Sequence, residues 1–284
     1  MRLYHNMASM NAFRSYTNSL NKQSSVMNRI NTGSRINRAK DNPNAMGKSE
    51  TMNIQIRGLQ MAQRNVQDGV SMMQSVDGAL SGMNEYLNRI RELTVQAGGG
   101  TSKEDLEAIQ DEIGQMVNGM RDIIKGSDFN GVQLIGNGKV TNNSDPKITE
   151  MLAGANSGDV INLPSYNLDP ANLKNGAGES LESIDITNKD IDKILSIVDS
   201  SIKTVTDVRT KYGAVCNRLE VAYDITGETG LTLEGAQSSI GDADVAMEMM
   251  DLAKYNLLVD SSLSIMRQTN NFPQDVLRIL ENLK

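Results

Sequence analysis

The stretch from residue 59 to residue 90, LQMAQRNVQDGVSMMQSVDGALSGMNEYLNRI, carries an apolar or small residue at alternating spacings of three and four without a slip. The series is Leu59, Ala62, Val66, Gly69, Met73, Val76, Leu80, Met83, Leu87, Ile90. A second series obeys the same rule near the other end: Ile191, Ile194, Val198, Ser201, Val205, Val208, Tyr212, Val215, Leu219, Ala222. A mean spacing of 3.5 puts each series on one stripe of a long helix, and such a stripe has to pack against other helices. The chain between Ile90 and Ile191 has a different character. Two long helical seams with a looped-out middle suit assembly better than catalysis.

Composition agrees with thin helical seams. Of 284 residues, 4% are aromatic, Trp is absent, Pro numbers 5 and Met 17. Large rings fill thick cores, whereas a two- or three-helix seam takes Met, Leu, Val and Ala. A single cysteine, Cys216, excludes an intramolecular disulfide and any cysteine cage for zinc. It reads as a small residue beside the Val215–Leu219 seam, with no cation closer in sequence than Lys211 or Arg218 to activate a thiol. A single histidine, His5, removes the serine triad and the two-His zinc sites. Gly136-Asn137-Gly138-Lys139 lacks the leading glycine and trailing Ser/Thr of a phosphate loop. No cofactor, metal or catalytic residue is expected.

Charge is unevenly placed. Residues 1–58 hold nine Lys/Arg against Asp41 and Glu50, a net +7, so the remainder carries −14 of a chain whose total is −7. A basic arm can serve nucleic acid or a membrane surface. Here the cations are spaced singly along a helical pattern with almost no aromatics between them. The reading adopted is a helix surface meeting solvent or acidic neighbours, with no nucleic-acid partner. No run approaches the roughly 20 apolar residues of a membrane span. Asn6, Ser9, Asn11 and Arg14 interrupt any leader-like apolar run. The expectation is a chain that is cytosolic, or exported without a cleaved signal peptide.

The fold class expected is mainly α, a long antiparallel helical bundle or coiled coil from both chain ends with a small β-hairpin and loop region in the middle. The first helix spans Met7 to about Ile36, with an apolar stripe of Met7, Met10, Phe13, Leu20, Met27 and Ile30 that is leaky at Thr17 and Ser24. Asp41-Asn42-Pro43-Asn44 breaks the pattern. The long helix from about Met46 to Ala97 follows, about 75 Å at roughly 1.5 Å per residue. Gly98-Gly99-Gly100 is expected to end it with left-handed residues. Either Thr101 with Glu104 forms a capping box or Ser102 caps alone. A third helix to about Lys125 carries Leu106, Ile109, Ile113, Met116, Met120 and Ile123 and folds back antiparallel. Phe129-Asn130-Gly131-Val132 carries a hairpin turn signal. Gly227 and Gly230 are expected to break the fourth helix. The stretch after Leu231 has a wide apolar face of Met247, Met249, Met250, Leu252, Leu257, Leu258, Val259, Leu263 and Met266, extended by Val276, Leu277, Ile279, Leu280 and Leu283, and in a monomer it demands a partner.

Several motifs resemble the bacterial flagellins. Asn31-Thr32-Gly33-Ser34-Arg35-Ile36-Asn37, Gln55-Ile56-Arg57-Gly58-Leu59, Asn65-Val66-Gln67-Asp68-Gly69-Val70-Ser71 and Leu87-Asn88-Arg89-Ile90-Arg91-Glu92-Leu93-Thr94-Val95-Gln96-Ala97 resemble that family's N-terminal region. Ile240-Gly241-Asp242-Ala243-Asp244-Val245-Ala246 and Asn270-Asn271-Phe272-Pro273-Gln274-Asp275-Val276-Leu277 resemble its C-terminal signature. The chain departs from the family at Lys40-Asp41-Asn42-Pro43-Asn44-Ala45-Met46-Gly47 and at Gly241, which leaves open a major filament protein, a minor paralogue or a hook–filament junction protein. A soluble coiled-coil adaptor is the alternative from another class.

The resemblance implies a subunit of the extracellular filament. Residues 1–42 and 231–284 would form the inner coiled coil, 43–138 and 185–230 the helical shell, and 139–184 a short variable region. Self-association would use Met10, Phe13, Leu20 and Met27 with Leu257, Leu258, Leu263, Phe272, Val276, Leu277 and Leu280. The C-terminal part of that set would also meet a cytosolic export chaperone, and the chain would pass the flagellar export apparatus and the filament cap. By motif, a host flagellin-sensing Toll-like receptor would contact Arg89, Leu93 and Glu112, where the blander reading is a helix–helix ion pair. Thr141, Ser144, Thr149, Ser157 and Ser165 could carry O-linked sugars, and Asn142-Asn143-Ser144 is a formal sequon. Deleting 251–284 is expected to abolish filaments while leaving 45–240 soluble and helical.

Overall fold

The structure is a computed structural model that describes residues 6–99, 102–136, 138, 140, 143, 145–188 and 190–281. In chain order the described elements are α1 (Met7–Thr32), α2 (Pro43–Ala97), α3 (Lys103–Gly126), β1 (Asp128–Phe129), β2 (Val132–Gln133), β3 (Lys147–Leu152), β4 (Val160–Ser165), two 3₁₀ turns (Leu181–Ser183, Ile186–Asn188), α4 (Ile191–Gly241) and α5 (Val245–Glu281). The chain divides into two compact units, Met1–Ile54 with Thr232–Lys284, and Gln55–Leu231. The division falls inside α2 and α4, not in the loop before Pro43.

The central unit is built on the two heptad stripes. Ala62 through Ile90 are all buried, with Leu59 half-buried at the start, and Leu93, Thr94 and Ala97 continue the seam. On α4 the stripe from Ile194 to Leu219 is likewise buried, with Ile191 and Ala222 half-buried at its ends. Pairing is antiparallel: Arg91 meets Asp199 at 2.8 Å and Asp77 meets Arg209 at 2.7 Å, while Leu219 lies over Gly69. Ser201, the polar member of its stripe, returns its hydroxyl to the Ile197 carbonyl at 2.8 Å, so its burial leaves no unmet donor.

The third helix closes the bundle and corrects one expectation. Its buried face is Leu106, Ile109, Ile113, Val117, Met120 and Ile124, and Met116 and Ile123 sit only at its margin. The spacings 3, 4, 4, 3, 4 average the 3.6 of a straight helix, so α3 follows the bundle without the 3.5 drift of a coiled coil. Ser102 is its cap, its hydroxyl accepting from the Asp105 N–H at 3.2 Å. Thr101 and Gly100 lie outside the described residues. Gly98 and Gly99 are not left-handed. Their N–H groups reach back three residues to Val95 and Gln96 at 3.1 Å each, tightening the last turn of α2 into 3₁₀ geometry.

The middle of the chain is a cap on this bundle. Asn130 and Gly131, both with positive φ (50° and 80°), make the tight turn joining β1 to β2. The β3–β4 hairpin is antiparallel, with Lys147 opposite Ser165 and Leu152 opposite Val160. Residues Leu134 and Ile135 accept from the Tyr166 and Leu168 N–H groups, extending β4 alongside them. The hairpin lies over a place where α2 has no side chain: a Cβ on Gly69 would fall 2.6 Å from Met151 Cε. Gln110 of α3 fastens the segment between the two 3₁₀ turns, donating to the Ile184 carbonyl and accepting from the Ile186 N–H, both at 2.9 Å. Tyr212 ties α4 to the cap. Its buried hydroxyl lies 2.9 Å from the Leu134 and Pro164 carbonyls, its ring meets Tyr166 edge-on at 5.6 Å, and burial pushes its phenol pKa up.

The expected break at Gly227 and Gly230 is absent: α4 runs unbroken to Gly241. Interior glycine costs a helix about 1 kcal/mol, which a helix already propagating from a packed face absorbs. Gly227 has a packing reason, since a Cβ there would meet Gln63 Nε2 at 3.1 Å.

Two outcomes test this packing. Tyr212→Phe should destabilise the central unit by about 1–2 kcal/mol in urea unfolding, because a cap carbonyl loses its buried donor, with helical content unchanged. The Arg209 hydrogen bond holds the Asp77 carboxyl below its usual pKa. A depressed carboxylate stabilises the fold above its unfolded pKa of about 3.9, and that contribution is lost as pH falls through the folded value. Asp77→Asn should therefore flatten stability against pH below about pH 4, read by thermal melts across the acid range.

Candidate assembly interface

The terminal unit pairs α1 with α5, and only one stripe of each helix is covered. On α1 the stripe is Ser9, Ala12, Tyr16, Ser19, Gln23, Val26, Ile30; on α5 it is Glu248, Leu252, Tyr255, Val259, Ser262, Met266, Thr269. Both keep the 3,4 alternation, so the terminal pair is also a heptad seam. Sequence reasoning missed it on α1 because Ser, Ala, Tyr and Gln occupy the seam positions. Only Val26 of α1 is fully buried. Polar contacts supply the register. Asn6 Nδ2 donates to the Thr269 carbonyl at 2.8 Å, Gln23 bonds Asn256, and Arg29 Nη2 donates to Glu248 Oε2 at 2.9 Å. The last pair sits where both helix ends favour it, a cation in the final turn of α1 and an anion in the first turn of α5.

Except for Ile30, which ends the covered seam, the apolar stripe read from the sequence of α1 is therefore on its outer side. Met10, Phe13, Leu20 and Met27 are all exposed, Phe13 at 55%. The same holds on α5 for Leu257, Leu258, Leu263 and Phe272, with Leu257 at 69% and Phe272 at 68%. Val276, Leu277 and Leu280 lie on the α5 backbone, but their side chains lie outside the described residues. A two-helix pair can cover one stripe per helix, and on α1 the covered stripe is the more polar one. The larger apolar surface is left for something outside the chain.

A loop-to-turn clasp closes this unit. Gly33 ends α1 in a left-handed conformation (φ 67°) and its carbonyl accepts from the Ala243 N–H at 2.9 Å. Arg35 N–H donates to the Gly241 carbonyl at 2.8 Å, and its guanidinium donates to the Ile240 carbonyl at 2.6 Å, capping the C-terminus of α4 with a cation. Asp244 Oδ1 then caps α5 from the Ala246 and Met247 N–H groups. Pro43 takes the first position of α2, with Asn42 Oδ1 accepting from the Ala45 N–H. Residues 31–37 and 240–246, two motifs far apart in sequence, are thus one structure.

Both ends of the chain match models of one known family. A family model described as the bacterial flagellin N-terminal helical region matches residues 3–140, and one described as the bacterial flagellin C-terminal helical region matches 195–280. The chain belongs to the bacterial flagellin family. Flagellin of Bacillus subtilis (strain 168) is 35% identical over 99% of this chain and 100% of its own length. Flagellin of Halalkalibacterium halodurans is 35% identical over the same shares, and the flagellar filament 30.7 kDa core protein of Treponema maltophilum is 32% identical over 99% and 100%. The flagellin family is structural, not enzymatic. Among the described residues no cluster of potential metal ligands occurs, and no helix is long and apolar enough to cross a membrane.

The remaining expected site residues divide clearly. Arg89 and Glu112 come together on the outside of the central unit, Nη2 to Oε1 at 2.9 Å, with Glu92 3.2 Å from Nη1. Leu93 is 1% exposed and packs in the seam beneath them, so a partner docking on this face would touch Arg89 and Glu112 but not Leu93. Ser165 is corrected outright as a modification site: at 1% exposure on β4 its hydroxyl is beyond an enzyme's reach. Ser157 is exposed in the hairpin turn, Thr149 is half-buried on β3, and Thr141 and Ser144 lie outside the described residues. Cys216 is half-buried beside the seam, and burial followed by the nearby Glu220 carboxylate raises its thiol pKa, which suits a packing residue and not a nucleophile.

The clasp makes a direct prediction. Arg35→Ala should leave the central unit's stability unchanged and speed amide exchange at Arg35 and Ala243 several-fold, the signature of local opening. Unchanged protection there would mean that the backbone bonds hold the clasp without the guanidinium.

Proposed function

We propose that this flagellin polymerises by burying the outer apolar faces of α1 and α5 against the same faces of neighbouring copies. As a family member the chain is a structural subunit of the flagellar filament, a homopolymer outside the cell that serves motility. The observation that carries the assembly reading is the orientation of the terminal pair: α1 turns mostly small and polar residues into the seam, while Met10, Phe13, Leu20, Met27, Leu257, Leu258, Leu263 and Phe272 face outward. Burying a side chain of that size contributes about 1.5–3 kcal/mol, so a few per copy suffice to drive a polymer. Full-length likeness to filament proteins favours this over a soluble adaptor, whose dimers would not grow. The Treponema filament core protein likewise favours a filament role over a hook–filament junction role.

Before assembly the same α5 face needs cover, and a cytosolic export chaperone supplies it, with Val276, Leu277 and Leu280 continuing the contact. The export apparatus then passes a terminal unit whose thin seam opens easily, and a filament cap guides its refolding. On the central unit, Arg89 and Glu112 form the charged spot that a host Toll-like receptor would read, with Leu93 holding α2 in place from beneath. In the cap, Ser157 is the best placed acceptor for an O-linked sugar.

Phe13→Asp with Leu257→Asp should leave the monomer as helical as the wild type, because both positions are already solvated, while electron microscopy finds no filaments. Filaments of ordinary length from that double variant would overturn the reading. Arg89→Ala should lower receptor signalling without reducing polymer yield. Full signalling from that variant would remove the receptor role and leave only the ion pair.

A further inference from the structure

The end of α1 and the loop after it enclose a polar groove of ≈ 370 Å³ that polymerisation through apolar faces does not use. It is lined by Arg29, Arg38, Lys40 and Asp41, with asparagine and serine side chains between them. Two of these charges are already committed. Arg29 is engaged by Glu248, and Asp41 Oδ2 accepts the backbone N–H of Arg38 at 3.0 Å. The Arg38 guanidinium and the Lys40 ammonium enter no ion pair among the described residues. The groove therefore holds two uncommitted cations at the centre of the chain's basic segment.

The opposite arrangement occurs on α3. Glu104, Glu107 and Asp111 follow at spacings of three and four, so they form one exposed stripe, and none of them has an ion-pair partner among the described residues. Glu104, in the first turn of α3, is favoured by the helix end, but Glu107 and Asp111 repel at this spacing unless a cation covers them. Their neighbours Asp105 and Glu112 are engaged, by Ser102 and Arg89. The chain thus carries an unfilled cationic groove and an uncovered anionic helix face of matching charge.

We propose that the Glu104–Glu107–Asp111 face of one copy seats in the Arg38–Lys40 groove of another. This rests on the filament reading, which brings copies together, and adds a contact that fixes their register. Apolar faces on long helices slide past one another at small cost, whereas a charge pair is satisfied at one offset only. The segment +7 to residue 58 against −14 beyond it gives the same attraction over a longer range before contact, within the roughly 8 Å reach of charge at physiological salt. A second copy is the occupant favoured over nucleic acid because the groove offers no aromatic surface on which bases would stack.

The test measures the critical concentration for polymerisation by sedimentation, with full-length chain and with far-UV circular dichroism as the folding control. Arg38→Glu with Lys40→Glu should raise it about tenfold or more. Glu107→Lys with Asp111→Lys should do the same, and the chain carrying all four substitutions should return close to the wild-type value. The uncharged Arg38→Gln, Lys40→Gln chain should show a smaller rise and lose most of the wild type's sensitivity to NaCl. A groove variant that polymerises like the wild type overturns the contact. So does a four-substitution chain that is no better than either pair, since the groove would then serve another occupant. Both results leave the filament reading intact, and a wild-type chain that forms no filaments overturns that reading itself.

Discussion

A pair of long helices can bury only one stripe of each against the other, and this geometric limit organises the whole molecule. In the central unit the limit is met with additional elements. The stripes of α2 and α4 face each other, α3 covers a further side, and the hairpins with the 3₁₀ turns close over what remains. The result is a continuous core from Val66 to Leu219, with large side chains such as Leu80, Met83, Leu87 and Ile90 fully enclosed. In the terminal unit the only other described helical pieces are the start of α2 up to Ile54 and the end of α4 from Thr232. Helices α1 and α5 bury a narrow seam, mostly small and polar on the α1 side, and keep a broad apolar surface outside.

The two units accordingly differ in how they resist opening. The central core combines apolar burial with fastenings that a polar environment would weaken only one at a time: Tyr212 to the cap, Gln110 to the segment between the two 3₁₀ turns, Arg209 to Asp77. The terminal pair relies on Asn6–Thr269, Gln23–Asn256, Arg29–Glu248 and the Gly33–Arg35 clasp onto residues 240–243. Half-exposed hydrogen bonds and ion pairs of this kind are individually worth about 1 kcal/mol or less. A segment so held opens readily and is reinforced strongly by any neighbour that covers its outer face. That combination suits a subunit that travels as a loosely closed chain and becomes rigid only in the polymer.

The charges divide into paired and uncommitted. Arg89 with Glu112, Arg91 with Asp199 and Arg121 with Glu182 join elements of the central unit, and Arg29 with Glu248 joins α1 to α5. Arg38 and Lys40 on one segment and Glu104, Glu107 and Asp111 on another find no such partner among the described residues. Exposed pairs add little stability, but uncommitted charge in fixed positions sets the register and rate at which copies meet.

The sequence by itself determined the helical class, the two long seams, the hairpin turn at Asn130-Gly131 and the boundary at Pro43, because each rests on local stereochemistry or on periodicity, which a chain carries residue by residue. It also determined the family, through motifs at both ends. Only the tertiary structure decided which face of α1 is covered, since Ser9, Ala12, Ser19 and Gln23 make a seam by their spacing and not by their polarity. The same is true of Leu93, which looks like surface beside Arg89 until the next turn of the seam places it inside, and of Ser165, whose strand turns it toward the bundle. Nor could sequence foresee that Gly227 and Gly230 stay helical. Their cost of about 1 kcal/mol each is local, whereas the helix that absorbs it is held by the packed stripe further back, from Ile194 to Leu219.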